Sequence, residues 1–146
     1  MFATHINTSN QTASAALLVA RVAVSMMMLT HGLPKLDLLL AGSEDLKFPS
    51  VLGLSPLASL ALAVFSEVVG SIFLIAGIFT RFATTALAVT MLVAATVMHA
   101  NDPFGVKELS LLYLVVYVLI LLLGPGKFSL DHLLFSKKGS GRAVRN

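Results

Sequence analysis

The chain has no cysteine and no tryptophan, and only 12% of its 146 residues carry a charge. Without cysteine there are no disulfides, no thiolate metal ligands and no CxxC relay, so any electrons handled here do not pass through the protein's own sulfur. Scarce charge goes with 57% hydrophobic content and a mean hydropathy of +0.91. A small soluble domain cannot hide that much apolar surface from water, so the bilayer is the expected solvent. Half of the basic residues, Lys127, Lys137, Lys138, Arg142 and Arg145, gather at the C-terminal end. The net charge of +3 and a pI near 9.5 therefore describe a tail drawn to anionic lipid, not a nucleic-acid surface. No phosphate loop, nucleophile elbow or dinucleotide fingerprint occurs.

Four apolar stretches near bilayer length organise the sequence into a single domain spanning 1–146. The first covers about 14–33; the stretch before it lacks the basic region of a cleaved leader, so it reads as an anchor. Pro34 is expected to stop it. The second covers about 55–79, with Ser55 as a hydroxyl cap, Pro56 in the first helical position and a stripe of small residues, Ser59, Ala63, Ser66, Gly70 and Gly77, for helix packing. Thr80-Arg81 is a tight turn into a third span, 82–99. Asn101-Asp102-Pro103 caps a fourth span, 103–123, which Gly124-Pro125-Gly126 ends. The fold class is an all-α membrane protein, a four-helix antiparallel bundle. The segment FSLDHLLF and the tail, 127–146, lie at the interface. Arg81 and the C-terminal basic cluster outweigh Lys35, Lys47 and Lys107 on the opposite side, which places both termini in the cytoplasm.

Within these stretches stand ionisable residues that lipid would not tolerate: Arg21, His31, Glu67, His99 and, near an entrance, Glu108. Helix rise alone puts His31 ~24 Å, His99 ~25 Å and Glu67 ~18 Å above the cytoplasmic end, so three titratable groups on three helices share one layer. Lys35 and Glu108 form its outer rim. Arg21, ~9 Å up, either snorkels to the cytoplasmic interface or pairs with Glu67 across a bent geometry. Arg21, Ser25, Met28, Gly32 and Lys35 recur at helical spacing and mark the bundle-facing side of the first span. Tyr113 and Tyr117, one turn apart, either present hydroxyls to the interior or serve packing and the interfacial belt.

Two chemistries suit such a layer. A buried Glu–His pair can pass protons to a quinone headgroup or another small substrate. Two histidines and a carboxylate also match a nonhaem iron or zinc ligand set, although no HxxxH or ExxH spacing is present, and no metal is assigned. Glu67 has a third role open to it, as a protonated carboxyl hydrogen-bonded for structure alone.

The motifs RVAVSMMMLTHGLPKL, SEVVGSIFLIAGIFTR, TMLVAATVMHA and LGPGKFSLD, in this order, resemble the DoxX family of small four-helix membrane proteins. The resemblance implies a multi-pass protein of the bacterial inner membrane, serving as an oxidoreductase or as the membrane subunit of a quinone-linked redox system. The family's recurrent polar features fall on Arg21, His31, Gly32, Lys35, Glu67, Gly70, Arg81, His99, Gly124, Gly126 and Asp131, with Glu108 as the acidic residue opening the last helix.

The resulting expectation is a buried quinone-facing or proton-handling site with Glu67, His31 and His99 as the reacting groups. Lys35, Glu108, Arg21 and Tyr113 would bind substrate. Its partners would be the lipid bilayer, a quinone and a redox protein that holds the electron carrier, with a homo-oligomer left open. Two other classes stand beside it. A proton-coupled transporter also needs one intramembrane carboxylate, though here no tryptophan cage accompanies it. A non-catalytic anchor for a partner enzyme would use the buried charges only to set helix register.

Overall fold

In the computed structural model, which describes residues 10–42 and 46–136, the first helix does not stop at Pro34. Helix α1 runs from Asn10 to Ala41 with that proline inside it. An interior proline forfeits the bond its N–H would make to the carbonyl four residues back, at a cost of about 3 kcal/mol. Packing offsets this: Leu36, Leu38 and Leu39, all beyond the proline, lie against the buried cluster of Leu60, Val64 and Val68. The extra two turns put Lys35 on a helix rather than in a loop.

The second span comprises α2 (Pro56–Val64), a π-turn (Phe65–Gly70) and α3 (Ser71–Ala76). Its start is as the sequence suggests, with the Ser55 hydroxyl accepting from the Ala58 N–H at 3.2 Å. It ends at Gly77, in the left-handed region at φ 68°. The connection to α4 (Thr80–Val93) is therefore Gly77–Phe79, and Thr80 and Arg81 belong to the first turn of α4 rather than to the turn. Asp131 makes that possible from far along the chain: its carboxylate accepts from the N–H groups of Phe79 at 2.9 Å and Thr80 at 2.8 Å. A carboxylate satisfies the free donors and favours the positive end of the helix dipole.

A second π-turn (Ala94–Met98) closes the third span, and α5 (Phe104–Leu123) follows. Asp102 does not cap α5; it turns back to His99, and Pro103 occupies the cap position without a side-chain hydrogen bond. Gly124, at φ 82°, ends α5 as expected. The short α6 (Leu130–Ser136) takes up FSLDHLLF from its third residue, and the basic tail from 137 onward lies outside the described residues.

The described segments Gln11–Ala41, Pro56–Ala76, Thr80–Met98 and Phe104–Leu123 are each long and apolar enough to cross a membrane. Lipid as solvent explains their outer faces, where Leu62, Ile72, Val89, Leu119 and Leu122 are exposed. The interior is knit by Val24, Met28, Leu74, Leu87, Met91, Tyr113, Tyr117 and Ile120 from α1, α3, α4 and α5. The small-residue stripe on the second span faces this interior: Ser59, Ser66, Gly70 and Gly77 are buried. At Gly32 the first two spans cross so closely that an added Cβ would sit 3.0 Å from the Glu67 Cβ and 2.9 Å from Val68 Cγ2. That crossing positions the site.

Candidate functional site at the Glu67 cavity

The predicted face of α1 does turn inward. Arg21, Ser25 and Met28 have exposures of 0–1%, Gly32 is buried, and the side chain of Lys35 is 32% exposed. Its two ends do different things.

Arg21 neither snorkels nor pairs with Glu67. Its Nη1 donates to the Pro125 carbonyl at 2.8 Å and its Nη2 to the Phe128 carbonyl at 2.6 Å. The loop after α5 has no ladder partner for these carbonyls, and a guanidinium fork is suited to collecting them. Around it the chain is tightly closed. The Asp131 N–H donates to the Gly77 carbonyl at 2.8 Å, and a Cβ at Gly77 would lie 2.3 Å from Arg21 Nη1 and 2.7 Å from Ser129 Cβ. Arg21, Gly77 and Asp131 thus form a structural latch joining α1, the α3–α4 turn and the α5–α6 loop at the end of the bundle that holds the termini.

Toward the opposite end, Glu67 is 1% exposed and forms an ion pair with Lys35 through Oε1. Its other oxygen, Oε2, is buried without a partner. A carboxylate taken out of water with half its acceptor capacity unmet is costly. Beside it lies a cavity of about 330 Å³ bordered by Lys35, Ser59, Glu67, Thr90 and His99 among mainly apolar side chains. Both π-turns adjoin it, one carrying Glu67 and the other contributing Ala94 and Met98. Such turns re-aim side chains within a helix and often occur where function needs it.

One wall comes from the segment between α1 and α2. Phe48, Val51, Leu52 and Leu54 line the cavity, and the Val51 N–H donates to the Ser59 hydroxyl at 3.0 Å, tying this segment to α2. Leu52 is held at φ 53°, where a branched side chain costs about 1–2 kcal/mol, so this wall is shaped under strain. On the other side Leu62 of α2 and Val89 of α4 line the cavity and are also 57% and 53% exposed on the outer surface of their spans. The cavity therefore reaches the lipid-facing surface between α2 and α4.

The structure brings together Glu67, Lys35 and His99, and not the other candidates. His99 borders the cavity, with Nδ1 2.7 Å from the Asp102 carboxylate. His31 is exposed and meets the edge of Tyr113, ring centroids 5.9 Å apart, away from the cavity lining. Tyr113 is buried and stacks on Tyr117 at 6.1 Å. Glu108 is exposed on α5, and the neighbouring Lys107 donates to the Ala100 carbonyl at 2.6 Å. Among the described residues no three His, Asp or Glu side chains converge in a metal-binding group. Sequence reasoning missed Ser59 and Thr90 as lining residues. Ser59 was visible as part of the small-residue stripe, whereas Thr90 carries no signal beyond a hydroxyl in an apolar run.

Four apolar spans around a buried ion pair define a multi-pass helical membrane protein. The DoxX family profile matches residues 16–100, and the chain belongs to that family. It is 34% identical over 128 residues to an uncharacterized protein of Haemophilus influenzae, covering 80% of this chain and 89% of that one. A second uncharacterized protein of the same organism is 34% identical over 77 residues, covering 50% of this chain and 51% of that protein. No solved structure matches.

Proposed function

We propose that the protein is the membrane subunit of a quinone-linked redox system, in the bacterial inner membrane with both termini cytoplasmic, and that the Glu67 cavity receives the quinone headgroup. The observation that carries this reading is the buried Glu67 carboxylate, paired with Lys35, in the wall of an apolar cavity open to the lipid-facing surface. A flat apolar ring with hydrogen-bonding oxygens suits that chemistry: mostly hydrophobic walls, a few polar groups to orient it, and a volume at the lower end of ordinary ligand sites. The outer position of Leu62 and Val89 leaves room for an isoprenoid tail in the bilayer.

The quinone supplies two-electron chemistry with accompanying proton uptake or release, its electrons exchanged with a redox partner protein. The chain's own residues supply the rest. The Lys35 ammonium can donate to a ligand oxygen, and Glu67 can hold the proton that moves to or from it. Because Nδ1 of His99 is engaged by Asp102, its Nε2 is the nitrogen left to bind the far side of a ring. Phe48, Val51 and Leu54 supply apolar wall at this end of the cavity. His31, Glu108, Arg21 and Tyr113 have no direct part in this scheme.

The test is titration of the purified protein with a short-tailed ubiquinone or menaquinone analogue. Glu67→Gln and Lys35→Met are expected to weaken binding about tenfold or more, as loss of a charge-assisted hydrogen bond does. Unchanged affinity in both variants removes the cavity from the argument.

A further inference from the structure

Three more hydroxyls, none of them in the cavity lining, are fully buried. Ser25 of α1, Ser71 of α3 and Tyr117 of α5 have no exposure, and Ser25 Oγ, Ser71 Oγ and the Tyr117 hydroxyl, like Glu67 Oε2, have no hydrogen-bond partner. The fold puts them at neighbouring heights. Gly32 packs on Glu67 and fixes a common level for the first two spans. Ser25 is seven residues from Gly32 and Ser71 four from Glu67, so they lie ~10 Å and ~6 Å nearer the termini end. Tyr113 meets His31 beside that level, and Tyr117 is one turn below it, with its ring leaning back toward Glu67 as side chains on a helix do.

Single buried groups without partners are uncommon, and four on three helices facing one interior call for a shared partner. Water is small enough and has the donors and acceptors required. We propose that Tyr117, Ser71 and Ser25 together with Glu67 Oε2 bound an internal water site, which gives Glu67 a proton-exchanging partner separate from its ligand cavity. This deepens the redox reading, since a bound headgroup would close the cavity side of Glu67 to solvent. A hydronium formed at the site passes its proton to the Glu67 carboxylate, leaving a carboxylic acid and water, and the reverse step returns it.

Two ligand-free measurements on the full chain test the proposal, so failure of quinone binding and failure of the water site are told apart. The first is a stability cycle. If water bridges these hydroxyls, Tyr117→Phe and Ser25→Ala each lower Tm by about 2–4 °C and the double variant is markedly non-additive. If the site is dry, each substitution removes an unsatisfied group, Tm stays or rises and the effects add, which overturns the proposal. The second is deuterium exchange in liposomes, following the tyrosine hydroxyl vibration assigned with Tyr117→Phe. Exchange about tenfold or more faster than that of the slowest buried amides is expected; exchange as slow as theirs overturns the proposal.

Discussion

The two ends of the inward face of α1 each bury a charge, and they treat it in opposite ways. At the termini end Arg21 spends both terminal nitrogens on fixed backbone carbonyls, with Gly77 pressed against it and Asp131 capping α4 alongside. At the other end Glu67 has one partner, on a half-exposed lysine, and one oxygen left free beside a cavity. A guanidinium whose two terminal nitrogens both reach fixed carbonyls amid closely packed backbone is scaffold, even with its Nε unpaired. A carboxylate kept partly unfilled beside empty space retains the capacity to bind. Burial and charge alone would have ranked Arg21 and Glu67 together, and each leaves one buried atom unpaired; the cavity that Glu67 borders and Arg21 does not is what separates them.

The largest effect should come from breaking the latch. Arg21→Leu leaves the Pro125 and Phe128 carbonyls without their charged donor, a loss of about 3–5 kcal/mol. Gly77→Ala adds a Cβ at positive φ inside the contact distance of Arg21 and should cost about 2–4 kcal/mol. Denaturation in mild detergent would show both, with little folded protein recovered for the first. Stability close to wild type in either variant would break the comparison.

The intermediate case sits at the cavity. Lys35→Met should cost less than the Arg21 change, about 1–2 kcal/mol, because an orphaned carboxyl can take up a proton and a guanidinium has no comparable escape. Glu67→Gln should fold normally, and the pair Lys35→Met/Glu67→Gln should recover part of the single-variant loss in a thermal unfolding cycle. The smallest effect belongs to His31→Ala. Its exposed ring touches only the edge of Tyr113 among the described ring contacts, so stability should change by about 0.5 kcal/mol or less.

Much of this architecture is legible in the sequence because hydrophobic length and helix caps are local signals. The four spans, the Ser55-Pro56 start, the Gly124 stop and the inward face from Arg21 to Lys35 all follow from residue type and spacing. The site is less legible. Reading Pro34 as a stop left Lys35 on a loop at the rim, whereas packing of Leu36, Leu38 and Leu39 carries the helix through the proline and delivers Lys35 to Glu67. Helix rise placed His31 and His99 at similar heights, but height does not specify azimuth, and His31 turns outward. The partners of Arg21 and Asp131 lie more than fifty residues away in sequence, through backbone groups that no side-chain pattern announces.

The most direct test of the central claim, that the working end is the Glu67–Lys35–His99 cavity and the Arg21 end its support, is photoaffinity labelling of the protein in liposomes with a long-tailed azidoquinone, mapped by peptide mass spectrometry. The account predicts adducts on the α2 and α4 segments that carry Leu62, Val89 and Thr90, lost on competition with unlabelled quinone and reduced in Glu67→Gln. Competed adducts confined to the His31–Tyr113 face or to the loop around Arg21, with Glu67→Gln without effect, would contradict it.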